Sequence, residues 1–377
     1  MKKKICFIVA TPITAKIFLQ KHFEYLSDDF DVYLVANFED EGTNSFSSPF
    51  LKDSKNIGIE RNISIFKDVE SLFSLARYLK EMQFDAIHTV TPKAGLIGIL
   101  AAKLAGVKIR IHIFTGQVWH TKKGFFKKFL KNLDRILVYY STHILVDGES
   151  QRKFLIQNKI IRDSNSSVLG KGSISGVDTD KFIPNKEIRD KYRTGLHITN
   201  EIVFLFLGRL NIDKGVLDLA HSFSKLNKRF SNCRLVFVGP DEENLRPKVE
   251  KICTNSISVI FYGATSSSQD VLQMADVFCI PSYREGFGTS IIEASLLGIP
   301  VISSNTYGLL DTIIENETGL HHQVGNVNSL FEQMEKLMID EELRRKLGRN
   351  GRRYVLENFS AEMISQNWVD FYKKTLL

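Results

Sequence analysis

Short apolar runs at residues 5–10, 31–36, 86–90, 109–114 and 144–146 alternate with stretches long enough for a helix. The alternation restarts at 202–207 and continues through 234–238, 258–261, 277–280 and 301–303. Apolar strands separated by helices mark a parallel sheet covered on both faces. Two such series predict two Rossmann-like halves. At 377 residues the chain has the length for two ordinary domains.

The glycine- and serine-rich stretch 168–178 reads as a linker or ligand loop. The division is placed after it, giving an amino-terminal domain 1–185 and a carboxy-terminal domain 186–359. The final stretch 360–377 carries Met363, Ile364, Trp368, Val369, Phe371 and Tyr372 on one helical face. That face needs a partner, and the helix is expected to cross back to the first domain.

No apolar run reaches the roughly 18 residues of a spanning helix. Lys2, Lys3 and Lys4 before the run 5–10 imitate a signal peptide, but Pro12 stops the run early, so it reads as a first strand. Cys6, Cys233, Cys253 and Cys279 are scattered, which suits a reducing cytoplasm.

The net charge of +7 is uneven: residues 1–185 hold 27 Lys+Arg against 19 Asp+Glu, and the remainder 23 against 24. The first half is therefore expected to meet something anionic. No nucleic-acid motif interleaves with the basic residues, so an anionic membrane surface is the favoured partner. Within 121–137, Phe125, Phe126, Phe129, Leu130, Leu133, Ile136 and Leu137 share one helical face, with Lys127, Lys128, Lys131 and Arg135 opposite. A core-packed helix with a solvated basic face fits this pattern, as does insertion into a lipid headgroup layer.

The chemistry gathers between Pro281 and Ala294. Gly286 and Gly288 lie between a strand stopped by Pro281 and a helix with Thr289 or Ser290 as N-cap. Amides near Thr289, Ser290 and Ile291 would face an anion. Ser290 and Glu293 also fit an ordinary capping box, but that leaves Glu285, Gly286 and Gly288 unexplained. Gly208 ends the strand 202–207 and introduces Arg209 and Lys214, suited to a diphosphate as a bidentate fork and a point charge. Gly239 ends the next strand in the same way. Arg209 alone would read as a surface ion pair.

In the first half, Thr91 and Pro92 punctuate a helix start. Lys93 opposes the helix dipole there, which an anionic ligand or solvent exposure would explain. The Asp178-Thr179-Asp180 triplet reads as a turn cap, and His321-His322 has no carboxylate partner nearby, so no metal is assigned.

Gly208-Arg209, Lys214-Gly215, Val238-Gly239-Pro240, Glu285 to Gly288, Glu293-Ala294, Gly298 to Val301 and Thr318-Gly319 together resemble the motif series of glycosyltransferase family 4. His88 to Gly95, Ile113 to Trp119 and Leu145 to Arg152 resemble its capsule and O-antigen branch. The resemblance implies a GT-B fold, α/β with two Rossmann-like domains facing a cleft. It also implies retaining transfer of a sugar, an N-acetylhexosamine in many members, from a UDP donor to a polyprenyl-diphosphate-linked saccharide at the inner membrane face. No cofactor is implied beyond the UDP-sugar substrate.

By the same resemblance Arg209 and Lys214 serve the diphosphate, Glu285 the donor sugar and Glu293 the ribose. Gly208, Gly239, Gly286, Phe287, Gly288, Thr289, Ser290 and Ile291 line the donor. Acceptor contacts are assigned to Thr11, Lys93, Thr115, Gly116 and His120. Many relatives carry a histidine where Thr115 stands, and His112 and His120 are the candidate substitutes. The paired glycines of the first loop are also missing, with Thr11 to Thr14 in their place. Two rivals stay open: a nucleotide-sugar epimerase of the same architecture, and a catalytically degenerate subunit of a membrane-bound assembly.

Overall fold

The structure, a computed structural model, describes residues 1–39, 46–60, 64–254 and 256–377. It divides into two compact units, residues 1–176 with 361–377, and residues 177–360.

In the first unit β1 (Lys3–Ile8), β2 (Phe30–Ala36), β3 (Asp53–Asn56), β4 (Ala86–Thr89), β5 (Ile109–Phe114), β6 (His143–Val146) and β7 (Ser166–Ser167) form a sheet in the order 3-2-1-4-5-6-7. All neighbouring pairs are parallel. Alternation along β1 sends Ile5 and Phe7 to one face and Cys6 and Ile8 to the other. The second face is covered by the helices Ile65–Met82, Pro92–Ala105 and Gly124–Tyr140.

The first face takes the helices Pro12–Phe18 and Gln20–Ser27, and also Ala361–Leu376 from the far end of the chain. Trp368 stacks between His22 and His88, at centroid distances of 4.2 and 4.7 Å. Ser365 Oγ lies 2.9 Å from His22 Nδ1, and Tyr372 Oη 2.6 Å from His88 Nδ1. Burial holds His22 down at about 4 and His88 well below the ordinary imidazole range.

In the second unit β8 (Ile202–Leu207), β9 (Cys233–Val238), β10 (Val259–Gly263), β11 (Val277–Ile280), β12 (Val301–Ser304) and β13 (Leu320–His322) run parallel in the order 10-9-8-11-12-13. The connections reverse direction between β8 and β11, and between β1 and β4 in the first sheet. Open sheets of this kind bind ligands at the carboxyl ends of the strands flanking that reversal.

The division falls at residue 177 rather than 186, because Val177 and Phe182 already pack into the second core. The stretch 168–178 does hold the division, as a linker with buried anchors: Ser173 and Ile174 are buried in the first unit and Val177 in the second. Asp178 Oδ1 accepts the amides of Asp180 and Lys181, which makes it a turn cap.

Candidate active site

The loops after β8 and β11 lie side by side because their strands are neighbours in the ladder. The first carries Arg209 and Lys214, the second Ser282 to Gly288. Lys214 Nζ is 2.5 Å from Glu285 Oε1, which also accepts from Ser282 Oγ at 2.9 Å. Both bonds fall on one oxygen, and Oε2 has no partner among the described residues. Glu285, for which the sequence offers no structural task, is thus half committed within the protein.

The loop is braced from beneath. Ser304 Oγ donates to Ser282 O at 2.5 Å and Thr306 Oγ1 to Tyr283 O at 3.1 Å. Tyr283 Oη donates to Asp218 at 2.7 Å, and Arg284 pairs with Asp213 at 3.2 Å. A Cβ on Gly308 would lie 2.2 Å from Glu285 O and 2.6 Å from Gly286 O, so a third loop, after β12, can only touch this one through a glycine. Sequence reasoning missed Gly308. It lies four residues beyond β12, not directly at a strand end as Gly208 and Gly239 do, so the sequence carried no matching signal.

The helix Thr289–Leu296 is capped by Gly288, at φ +74°, rather than by Thr289 or Ser290. No side chain caps it, so the Ser290–Glu293 capping box does not form. Ile291 donates its amide to Gly288 O at 2.8 Å, which removes it from the expected anion-facing set. The amides of Thr289 and Ser290 have no partner among the described residues. Phe287 is buried against Phe359 and serves the core. Glu293 accepts no hydrogen bond among the described residues, and burial pushes its carboxyl up to about 7, with Lys181 pulling weakly the other way.

Arg209 is not free. Its Nη1 lies 3.1 and 3.2 Å from the two oxygens of Glu242, which Asn211 Nδ2 also reaches at 3.1 Å. The expected surface ion pair and the expected phosphate grip therefore involve the same side chain. A cavity of about 530 Å³ opens elsewhere in this unit, at the amino ends of β11 and β12. Its arginines are engaged, Arg189 by Asp276, Arg344 by two backbone carbonyls and Arg345 by Glu341.

In the first unit, Thr11 is buried at the end of β1, and Thr91 Oγ1 accepts the Ala10 amide at 3.2 Å. Lys93 is ion-paired with Asp68 at 2.6 Å, so a neighbouring helix offsets the dipole cost that had pointed to a ligand. Thr115 and Gly116 follow β5. His112 is buried, its Nδ1 2.8 Å from Thr89 Oγ1, and burial drops its pKa to about 3. It is a neutral core residue and cannot replace a missing basic histidine. His120 sits edge-on to Phe154 at 5.0 Å.

The helix Gly124–Tyr140 buries Leu137 of its apolar face and packs Leu130 against the same core, but not its phenylalanines. Phe125 is 84% exposed, Phe126 47% and Phe129 40%, so these rings are not core-packed. Lys127 and Lys131 instead turn inward over Trp119, at 5.9 and 5.0 Å. Trp119 provides the electron-rich face that draws them in. Lys122, Lys123 and Lys128 remain exposed beside the phenylalanines.

Two doubly wound units, with cations and a glycine-supported carboxylate at the reversal point of the second, agree with the GT-B fold that the family 4 resemblance implies. Residues 188–354 match the Glycosyl transferases group 1 family and residues 55–170 the Glycosyl transferase 4-like domain. The chain is 30% identical to the capsular polysaccharide biosynthesis glycosyltransferase CapM of Staphylococcus aureus, over 100% of this chain and 98% of that one. It is 26% identical to the N,N'-diacetylbacillosaminyl-diphospho-undecaprenol alpha-1,3-N-acetylgalactosaminyltransferase of Campylobacter jejuni, over 93% of each. In fold it is similar to Anabaena Alr3699/HepE, solved with UDP and glucose, at a TM-score of 0.79 and 15% identity over 99% of this chain and 100% of that one. The chain belongs to the group 1, GT4-like glycosyltransferases.

Proposed function

We propose that this glycosyltransferase moves a sugar, an N-acetylhexosamine by preference, from a UDP donor to a polyprenyl-diphosphate-linked saccharide with retention at the anomeric carbon. The observation that carries the reading is the cluster at the β8/β11 reversal. Lys214 and Glu285 are joined there, Glu285 keeps one oxygen unused, and Glu293 is held without a partner. The relatives' lipid-diphosphate acceptors and the UDP bound by a structural neighbour supply the substrate classes.

In this reading the donor diphosphate displaces Glu242 from Arg209 and takes Lys214 as a second cation. The amides of Thr289 and Ser290 add further donors. Glu293 accepts from the ribose hydroxyls and Glu285 Oε2 from the donor sugar. As the bond from the anomeric carbon to the phosphate oxygen breaks, negative charge grows on the diphosphate, where fixed cations and amides stabilise it. The acceptor hydroxyl attacks from the same face and gives its proton to the departing phosphate oxygen, so no separate base is required.

The exposed phenylalanines of Gly124–Tyr140, with Lys122, Lys123 and Lys128, suit shallow insertion beside anionic headgroups. The protein then sits at the membrane holding its acceptor. Incubation with a panel of UDP-sugars and undecaprenyl-diphosphate-linked acceptors is expected to give acceptor-dependent UDP release and an α-linked product. Free epimerised nucleotide-sugar formed without acceptor refutes the reading in favour of an epimerase. Phe125→Ser with Phe129→Ser is expected to reduce sedimentation with phosphatidylglycerol vesicles, and unchanged sedimentation refutes the membrane contact.

A further inference from the structure

Asp147 follows β6 at the carboxyl edge of the first sheet. Val146 is the register partner of Phe114, so Asp147 and Thr115 are the next residues of neighbouring strands. The Asp147 backbone is fully engaged. Its amide reaches Phe114 O at 3.3 Å and Gln151 Oε1 at 3.1 Å, and its carbonyl accepts from the Ser173 amide at 2.6 Å. Ser173 is itself buried in a left-handed conformation, φ +74°. Gln151 donates onward to Gln117 at 3.3 Å, and both glutamines are buried.

The carboxyl is treated differently. Asp147 is 3% exposed, and Oδ1 has no hydrogen-bond partner among the described residues. Native structures hold few such groups, and each needs a reason. Helix capping is not the reason, since Gly148 is the N-cap of Glu149–Gln157 and no side chain caps that helix. Ion pairing is not the reason either: burial alone acts on this carboxyl and lifts it to about 8. At neutral pH it therefore carries a proton, giving one donor and one acceptor on a rigid backbone.

A neutral carboxyl with no cation beside it offers a phosphate no opposite charge to pair with, and suits an uncharged hydroxyl or amide. We propose that Asp147 binds the acceptor sugar, exchanging hydrogen bonds with a ring hydroxyl or acetamido group rather than with the acceptor's diphosphate. This rests on the transferase reading above. Asp147 also supplies a polar group beside Thr115, at the edge where many relatives use an imidazole.

The test uses the full chain, UDP-N-acetylhexosamines and a panel of undecaprenyl-diphosphate-linked N-acetylhexosamines. Asp147→Ala is expected to raise the acceptor KM about tenfold, with donor KM and UDP Kd within about twofold and Tm unchanged or higher. Asp147→Asn keeps one donor and one acceptor and is expected to restore most of the loss. An acceptor KM in Asp147→Ala within about twofold of wild type overturns the proposal. Parallel loss of UDP binding and Tm overturns it too, since that marks a structural residue. Wild-type protein that binds UDP yet transfers to no acceptor refutes the transferase reading itself, and this proposal with it.

Discussion

In Glu293→Gln a carboxyl gives way to a neutral amide of the same size, at a position where burial has moved the acid from 4.5 to about 7. Between those two values the folded chain keeps a proton that the unfolded chain has released. Wild-type stability therefore falls as pH rises through the window, and the loss is complete above pH 7. A displacement of this size is worth up to about 3 kcal/mol. The amide does not titrate, so the variant avoids the loss. The two proteins are expected to melt alike near pH 4.5, and the variant several degrees higher at pH 8, at roughly 2–4 °C per kcal/mol for a unit of this size.

Binding moves the other way. Gln offers the ribose one acceptor where the carboxylate offers two charged ones, a loss of about 2 kcal/mol or roughly 30-fold in UDP affinity. Wild-type affinity should also weaken as pH falls through 7, because the bound form needs the carboxylate. Calorimetric melting at pH 5 and 8 and UDP titration at pH 6, 7 and 8 read both effects. A melting difference that does not change with pH refutes the burial argument, and UDP affinity within about threefold of wild type refutes the ribose contact.

Lys214→Ala and Glu285→Ala are each expected to cut transfer by at least about 100-fold while the far-ultraviolet dichroism stays native; normal turnover in either removes the basis of the donor site. Glu242→Gln removes the anion that holds Arg209 and Asn211. Because that pair is exposed, UDP affinity should rise only about two- to fivefold, and an unchanged or weaker affinity speaks against competition for Arg209. The first unit should be acid-labile. His22 and His112 are buried neutral, at about 4 and about 3, so stability is full above pH 6.5 and is lost as pH falls below it. Trp119 and Trp368, the two tryptophans of the chain, both lie in this unit, so their fluorescence should show its Tm falling by several degrees between pH 7 and 5.

The sheets were legible because their inner strands are buried on both faces and read as unbroken apolar runs. Asp53–Asn56 was not, since all four residues are exposed on an edge and leave no periodic trace. Ser166–Ser167 is too short to leave one. The donor loops were legible as glycine, lysine and carboxylate at strand ends. Their bracing was not, since Ser282, Ser304, Thr306 and Gly308 matter through contacts between loops far apart in sequence. For a related reason the sequence left two readings of Gly124–Tyr140 open. Periodicity separates the phenylalanines from the lysines, but it cannot reveal that Trp119 waits beneath the lysines.

Because Ala361–Leu376 completes the first unit, the order in which the chain is made is not the order in which it can finish folding. Residues 177–360 have all their core on hand once residue 360 has left the ribosome. The first 176 residues must wait with Phe7, His22 and His88 uncovered until Trp368 and Tyr372 arrive. The half made first is closed last, and a released chain cut short between residues 360 and 368 would hold a finished second unit and an open first one.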